Sequence, residues 1–91
     1  MDKQMQHTLV CAELTDLYLA KNHDYGDSFN RTFDELGIIS AVTRISDKVY
    51  RMQTLIQKEQ KVTDETLRDV FIDTANYCIM TVMKMDADKN E

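Results

Sequence analysis

Arg44, Asp47, Lys48 and Arg51 stand at i, i+3, i+4 and i+7, a spacing that gathers three cations and a carboxylate on one face of a helix. Asp69, Asp73, Asn76 and Tyr77 make a second stripe at i, i+4, i+7 and i+8. Two helices packed beside these stripes would form a groove with basic side chains on one wall and carboxylates on the other. Guanidinium and ammonium groups hold phosphate through charge-assisted hydrogen bonds, and an amide or a phenol can read a base or a sugar. The same spacing also builds a plain charge zipper, in which Arg44, Lys48 and Arg51 pair only with Asp69 and Asp73. Asn76 and Tyr77 favour the groove, because a zipper has no use for them.

A second cluster precedes these stripes. Lys21, Asn22, Asp24, Tyr25, Gly26, Ser28 and Phe29 combine a cation, hydrogen-bonding groups, a glycine and two aromatic rings. Glycine lets a backbone approach a ligand, and a ring can stack on a base. The competing reading is a loop pinned by Tyr25, Phe29 and Phe33 as a hydrophobic plug. Phe33 is assigned to the plug, and Tyr25 stays open between the two. His7 and His23 have no partners in the pattern and read as surface residues.

The elements that must carry these residues are helices. Val10, Leu14, Leu17 and Tyr18 form one apolar face of a first helix over residues 1–22, starting near Lys3. Asn22 to Asp34 reads as the main connection, with the loop over 23–34, since Asn, Asp, Gly and Ser favour turns. Helix two spans 35–58, and Ile38, Val42, Ile45, Val49, Met52 and Ile56 give it a seam suited to packing along another helix. Gln57 to Val62 is a short polar link. Helix three spans 63–86, with Thr63 as its cap and Asp64 and Glu65 in its first turn. Its buried side is predicted as Leu67, Val70, Phe71, Thr74, Cys78, Thr81 and Met85, with Asp86 to Glu91 frayed. The expected fold is all-α: a small antiparallel bundle of three main helices, completed by oligomerisation.

Composition agrees with that architecture. The 91 residues contain no proline and two glycines, Gly26 and Gly37, so the rest can be continuous helix. A chain of this length suits one domain over 1–91, and it buries only about 60–65% of its unfolded surface. Lys and Arg total 11 against 16 Asp and Glu, a formal charge of −5. That balance argues against a nucleic-acid polymer as partner but leaves room for a small anion held by local cations. Cys11 and Cys78 lack metal-ligand spacing and read as small buried hydrophobes in a reducing cytoplasm. No stretch has the length of a signal peptide or a membrane span, so no membrane partner is expected.

Three segments, Lys21-Asn22-x-Asp24-Tyr25-Gly26-x-Ser28-Phe29, Arg44-Ile45-x-Asp47-Lys48-x-x-Arg51 and Asp69-x-x-x-Asp73-x-Ala75-Asn76-Tyr77, together resemble the nucleotide modification associated domain 1 family. That family is frequent in phages and prophages and looks distantly like the all-α nucleoside triphosphate pyrophosphatases of the MazG and dimeric dUTPase type. The resemblance covers about Leu14 to Met83. It implies an oligomeric helical bundle with a nucleotide pocket, acting in the host cell cytoplasm if phage-encoded. Lys21, Arg44, Lys48 and Arg51 would meet phosphates, and Asp47, Asp69 and Asp73 would be the metal-facing acids. Asn22, Tyr25, Asn76 and Tyr77 would shape the base and sugar site, with Asp24, Ser28 and Phe29 beside them.

The chain departs from the pyrophosphatase pattern, in which an ExxE and an ExxD motif hold Mg²⁺. Here one helix presents Arg44-x-x-Asp47 and the other Asp69-x-x-x-Asp73. Guanidinium in place of a carboxylate weakens a Mg²⁺ site and strengthens metal-free phosphate binding. The favoured expectation is therefore a cofactor-free protein that captures a phosphorylated nucleotide intact. In a phage this would be a sponge for a host cyclic-nucleotide or ADP-ribose-type immune signal. The alternatives are a Mg²⁺-dependent pyrophosphatase and a non-catalytic structural module.

Overall fold

The computed structural model describes residues 1–57 and 65–89. They form four helices, α1 (Lys3–Tyr25), α2 (Ser28–Leu36), α3 (Ile38–Gln57) and α4 (Leu67–Lys89), with no strand among the described residues. The fold is all-α, as the periodicity requires.

Two glycines divide the first half of the chain. Gly26 ends α1 with φ +68° and Gly37 ends α2 with φ +81°, backbone that a residue with a Cβ adopts only under strain. At the second break Gly37 N–H donates to Phe33 O at 2.7 Å, closing the last turn of α2. The helix α2 corrects the expected loop over 23–34. The turn-forming residues there occupy only the break at Gly26 and Asp27. Beyond it Phe29 and Phe33, spaced i and i+4, put one apolar side on a short helix, and both are buried. The first helix likewise continues a turn past its expected end, which carries Asn22 and Tyr25 on helical spacing.

The core lies where α2, α3 and α4 meet. Phe29, Phe33 and Ala41 form it, with Tyr77 and Met80 packed against them. Ala41 is fully buried, and its small side chain lets the aromatic pair approach α3. α3 and α4 run antiparallel, since Arg44 faces Tyr77 while Lys48 faces Asp73 and Arg51 faces Glu65. α1 crosses α4: Leu14 is buried there, and Asn76 Nδ2 donates to its carbonyl at 3.1 Å.

The inward faces differ from the expected seams. Ile38, Val42, Val49 and Ile56 are exposed, Ile56 by 68%, and only Ile45 and Met52 of that row are half-buried. α3 instead turns Ala41, Arg44, Ile45, Lys48, Met52 and Leu55 inward. The aromatic pair on α2 selects this face, and the aliphatic stems of Arg44 and Lys48 cover it. On α4, Val70, Ile72 and Asn76 are buried, whereas Phe71 and Met85 are exposed. Cys11 and Cys78 are exposed too, against the expectation that both are buried, because each lies on the outer side of its helix.

The start of α4 is set by a reciprocal cap. Thr66 N–H and Thr66 Oγ1–H both donate to Asp69 Oδ2 at 2.9 Å, and Asp69 N–H donates back to Thr66 Oγ1 at 3.1 Å. The cap expected at Thr63, with Asp64, and the link over 58–62 lie outside the described residues. Glu65 precedes the helix instead of sitting in its first turn.

Two predictions concern these supports. Asn76→Ala removes a buried bond between α1 and α4, while the Leu14 carbonyl keeps its place in the helical ladder. The expected cost is about 1 kcal/mol, read from urea unfolding; an unchanged midpoint would mean that the bond does not dock α1.

The second prediction is an acid limb. Arg68 donates to both Glu13 carboxylate oxygens at 2.7 Å, and this hydrogen bonding holds Glu13 below its ordinary pKa. The Thr66 backbone and hydroxyl bonds hold Asp69 below its own. A depressed folded-state pKa stabilises the fold above the unfolded value, and that stabilisation drains as pH falls through the folded value. The melting temperature should therefore drop below about pH 4, with a shallower drop in an E13Q/D69N variant. Identical acid profiles would refute the assignment.

Candidate functional site

The four helices border a hollow that is partly open to solvent. α1 contributes Tyr18, Lys21, Asn22 and Tyr25, which follow one another at i, i+3, i+4 and i+7 and so share a face. α4 contributes Asp73, Asn76, Tyr77 and Met80 at the same spacing. Gly26, Ser28 and Phe29 close the side at the α1–α2 break, and Arg44 enters from α3.

Phe29 and Tyr77 make the aromatic wall, their ring centroids 5.9 Å apart and their planes 22° from parallel. The Arg44 guanidinium lies over both rings, 5.8 Å from Phe29 and 5.9 Å from Tyr77. Cation–π attraction and a hydrogen bond to Thr32 Oγ1 at 3.2 Å hold it there. Among the described residues Arg44 has no carboxylate partner, which leaves most of its fork of N–H donors for another acceptor.

The remaining expected phosphate ligands divide. Lys21 lines the hollow, and its Nζ lies 2.7 Å from Asp73 Oδ1. Partial burial pulls the Lys21 pKa down, but the hydrogen bond and charge of Asp73, with contributions from Tyr77 and Tyr25, outweigh it and leave it raised. Lys21 is therefore a cation throughout the physiological range. Lys48 and Arg51 do not line the hollow. Lys48 lies 3.4 Å from Asp73 Oδ2 and 3.8 Å from Glu65 Oε1, while Arg51 Nε lies 3.3 Å from the same Glu65 oxygen. At that end of the α3–α4 interface the charge zipper is the better description; of its acid partners Asp73 was expected and Glu65 was not.

The expected acids do not converge. Asp69 is engaged in the helix cap, Asp47 is exposed, and both Asp73 oxygens face ammonium groups. Among the described residues no three His, Cys, Asp or Glu side chains are grouped to hold a metal ion. These carboxylates do not fit Mg²⁺, which takes free carboxylate oxygens in octahedral geometry.

Of the expected base and sugar set, Asn22, Tyr25, Ser28, Phe29, Asn76 and Tyr77 come together at the hollow. Asp24 does not; it lies outside, 3.1 Å from His23 Nδ1. Phe33 belongs to the core and not to the hollow. Phe29 serves both, buried on one side and lining the wall on the other. Tyr25 is 72% exposed and so is no plug. Tyr18 and Met80 were missed as lining residues. The i, i+3, i+4, i+7 spacing from Tyr18 to Tyr25, and from Asp73 to Met80, would have placed both once the first helix was carried to Tyr25.

No helix among the described residues is long and apolar enough to cross a membrane. No curated protein and no solved structure matches the chain. Residues 21–85 match the family model described as nucleotide modification associated domain 1. That match begins at Lys21, the first cation of the hollow, and continues past Met80, its last wall residue. It takes in well over half of the chain, which therefore belongs to the nucleotide modification associated domain 1 family.

Proposed function

We propose that this protein binds a phosphorylated nucleotide in the four-helix hollow and releases it chemically intact. The observation that carries the reading is Arg44, held over Phe29 and Tyr77 at the hollow with no carboxylate partner among the described residues. A guanidinium fixed on an aromatic wall offers phosphate a bidentate partner beside a surface on which a base can stack. Lys21 adds a second cation, and Asn22 and Asn76 add amides. Of the three aspartates that a Mg²⁺-dependent pyrophosphatase would need, only Asp73 lines the hollow, and both its oxygens face ammonium groups, which favours capture over hydrolysis.

Calorimetry combined with product analysis tests this. Nucleoside mono- and triphosphates, cyclic dinucleotides and ADP-ribose are each incubated with the protein, with and without Mg²⁺. Saturable binding with the ligand recovered unchanged is expected. Release of pyrophosphate would establish the enzyme instead, and no binding of any probe would leave a structural module.

The same proposal includes self-association. The chain exposes 7094 Å², against about 5,500 Å² for a compact monomer of its mass. Its radius of gyration is 14.8 Å, against about 12 Å for a compact domain. The exposed row Ile38, Val42, Val49 and Ile56 on α3, with Phe71 on α4, supplies apolar surface for a second copy. Sedimentation at micromolar concentration should show an oligomer, and Val49→Glu should shift it toward monomer. A wild-type monomer would end this part of the proposal.

A further inference from the structure

We propose that the hollow selects a nucleotide with a single phosphate per base, a nucleoside monophosphate or a cyclic phosphodiester, over a nucleoside triphosphate. The inference rests on the nucleotide-binding reading above and specifies its ligand class.

Charge carries the argument. Three ionic side chains line the hollow: the cations Lys21 and Arg44 and the carboxylate Asp73. Two positive charges less one negative leave a net charge of +1. Lys21 is already drawn to Asp73 at 2.7 Å, so Arg44 is the one lining cation without an acid partner among the described residues. The next cations along α3 do not extend the site, because Lys48 and Arg51 face Asp73 and Glu65. A phosphodiester brings one negative charge, which Arg44 matches, and a terminal monophosphate brings up to about two, the second of which Lys21 shares with Asp73. Each further phosphate adds negative charge beside Asp73 with no unshared cation to meet it, and the chain's formal charge of −5 opposes it as well.

The rest of the lining suits a base better than a phosphate chain. Tyr18 and Tyr25 on α1, Phe29 on α2 and Tyr77 on α4 supply aromatic surface. Exposed Tyr25 lines the hollow beside the Gly26 break, where its ring can stack on a bound base. Asn76 spends one amide N–H on the Leu14 carbonyl, and its carbonyl oxygen can accept from a base amino group. The site therefore offers several base contacts and one good phosphate contact.

Metal-free titration calorimetry compares a nucleoside with its 5′-monophosphate, 3′,5′-cyclic monophosphate and 5′-triphosphate, for each common base. The monophosphate or the cyclic form should bind at least about tenfold more tightly than both the nucleoside and the triphosphate, and the stronger of the two identifies which phosphate the site takes. Asp73→Asn removes the wall carboxylate and should narrow the gap between monophosphate and triphosphate severalfold. Triphosphates binding as well as monophosphates would overturn this inference and leave the nucleotide reading standing, whereas binding of no nucleotide would overturn both. An unchanged preference ratio in a folded Asp73→Asn protein would also overturn the charge argument, and the wild-type comparison decides the case if that variant does not fold.

Discussion

Arg44→Gln is expected to cost nucleotide affinity about 2–3 kcal/mol, roughly 30- to 150-fold, while leaving the helical fold in place. Glutamine keeps the same stem as far as Cδ, so much of the α3 surface stays covered, although its amide ends short of the Thr32 hydroxyl. What disappears is the planar cation over the Phe29 and Tyr77 rings and the fork it offers a phosphate. The folding cost is limited to a cation–π contact and one side-chain hydrogen bond, about 1 kcal/mol. Arg44→Lys should fall between parent and Gln, since it keeps the charge and loses the fork. Calorimetry with the best-bound nucleotide gives the affinity, and thermal melting gives the fold. If binding and melting fall together in both variants, or binding does not fall at all, Arg44 is a structural strut and the site lies elsewhere.

Lys48 makes the contrast that gives this prediction its meaning. It sits one turn from Arg44 on α3 and has the same formal charge, but it faces Asp73 and Glu65. Lys48→Ala should therefore disturb the α3–α4 contact more than it disturbs ligand. Spacing alone treated Arg44, Lys48 and Arg51 as one stripe with one role. Periodicity fixes which face a residue shares, and it says nothing of where the opposing acids fall along the partner helix. That register was not legible, because Glu65 lies outside the stripe from which partners were drawn.

The same limit explains the misplaced seams. Ile38, Val42, Ile45, Val49, Met52 and Ile56 form a regular apolar row, yet most of it is exposed. Two faces of α3 can be buried, and sequence ranks them by hydrophobicity. The folded chain ranks them by geometry: the turn at Gly37 sets Phe29 and Phe33 of α2 against α3 at Ala41, whose small side chain leaves room for the rings. Helix class and the scarcity of breakers follow from local chemistry and could be read in advance, whereas the convergence of the Lys21–Phe29 segment with Arg44, Asn76 and Tyr77 was implied only by the family resemblance. Which apolar row faces inward depends on long-range packing. The row left outside is then what the proposed second copy would cover.

Phe33→Ala tests whether the small aromatic core really organises the chain. Phe33 is buried beside Ala41, its ring centroid 6.3 Å from that of Phe29, with Lys84 Nζ 5.6 Å from its centre. Truncating a buried Phe costs about 3–5 kcal/mol through lost transfer energy and the cavity left behind. A domain of this size has only about 5–14 kcal/mol to lose, and each kcal/mol moves its melting point by about 4–8 °C. The melting temperature should fall by at least about 12 °C, compared at equal protein concentration because association would itself raise it. Phe33→Leu, which keeps most of the volume, should cost about 1 kcal/mol. Since Phe33 does not line the hollow, Phe33→Leu should leave ligand affinity within about twofold of the parent, a difference below about 0.4 kcal/mol. Core and site would thus separate cleanly, Phe33 changing stability and Arg44 changing binding. If Phe33→Ala melts within a few degrees of the parent, most of the stability resides in contacts between copies. The exposed α3 row, and not the α2–α3–α4 junction, would then be the true core of the assembly.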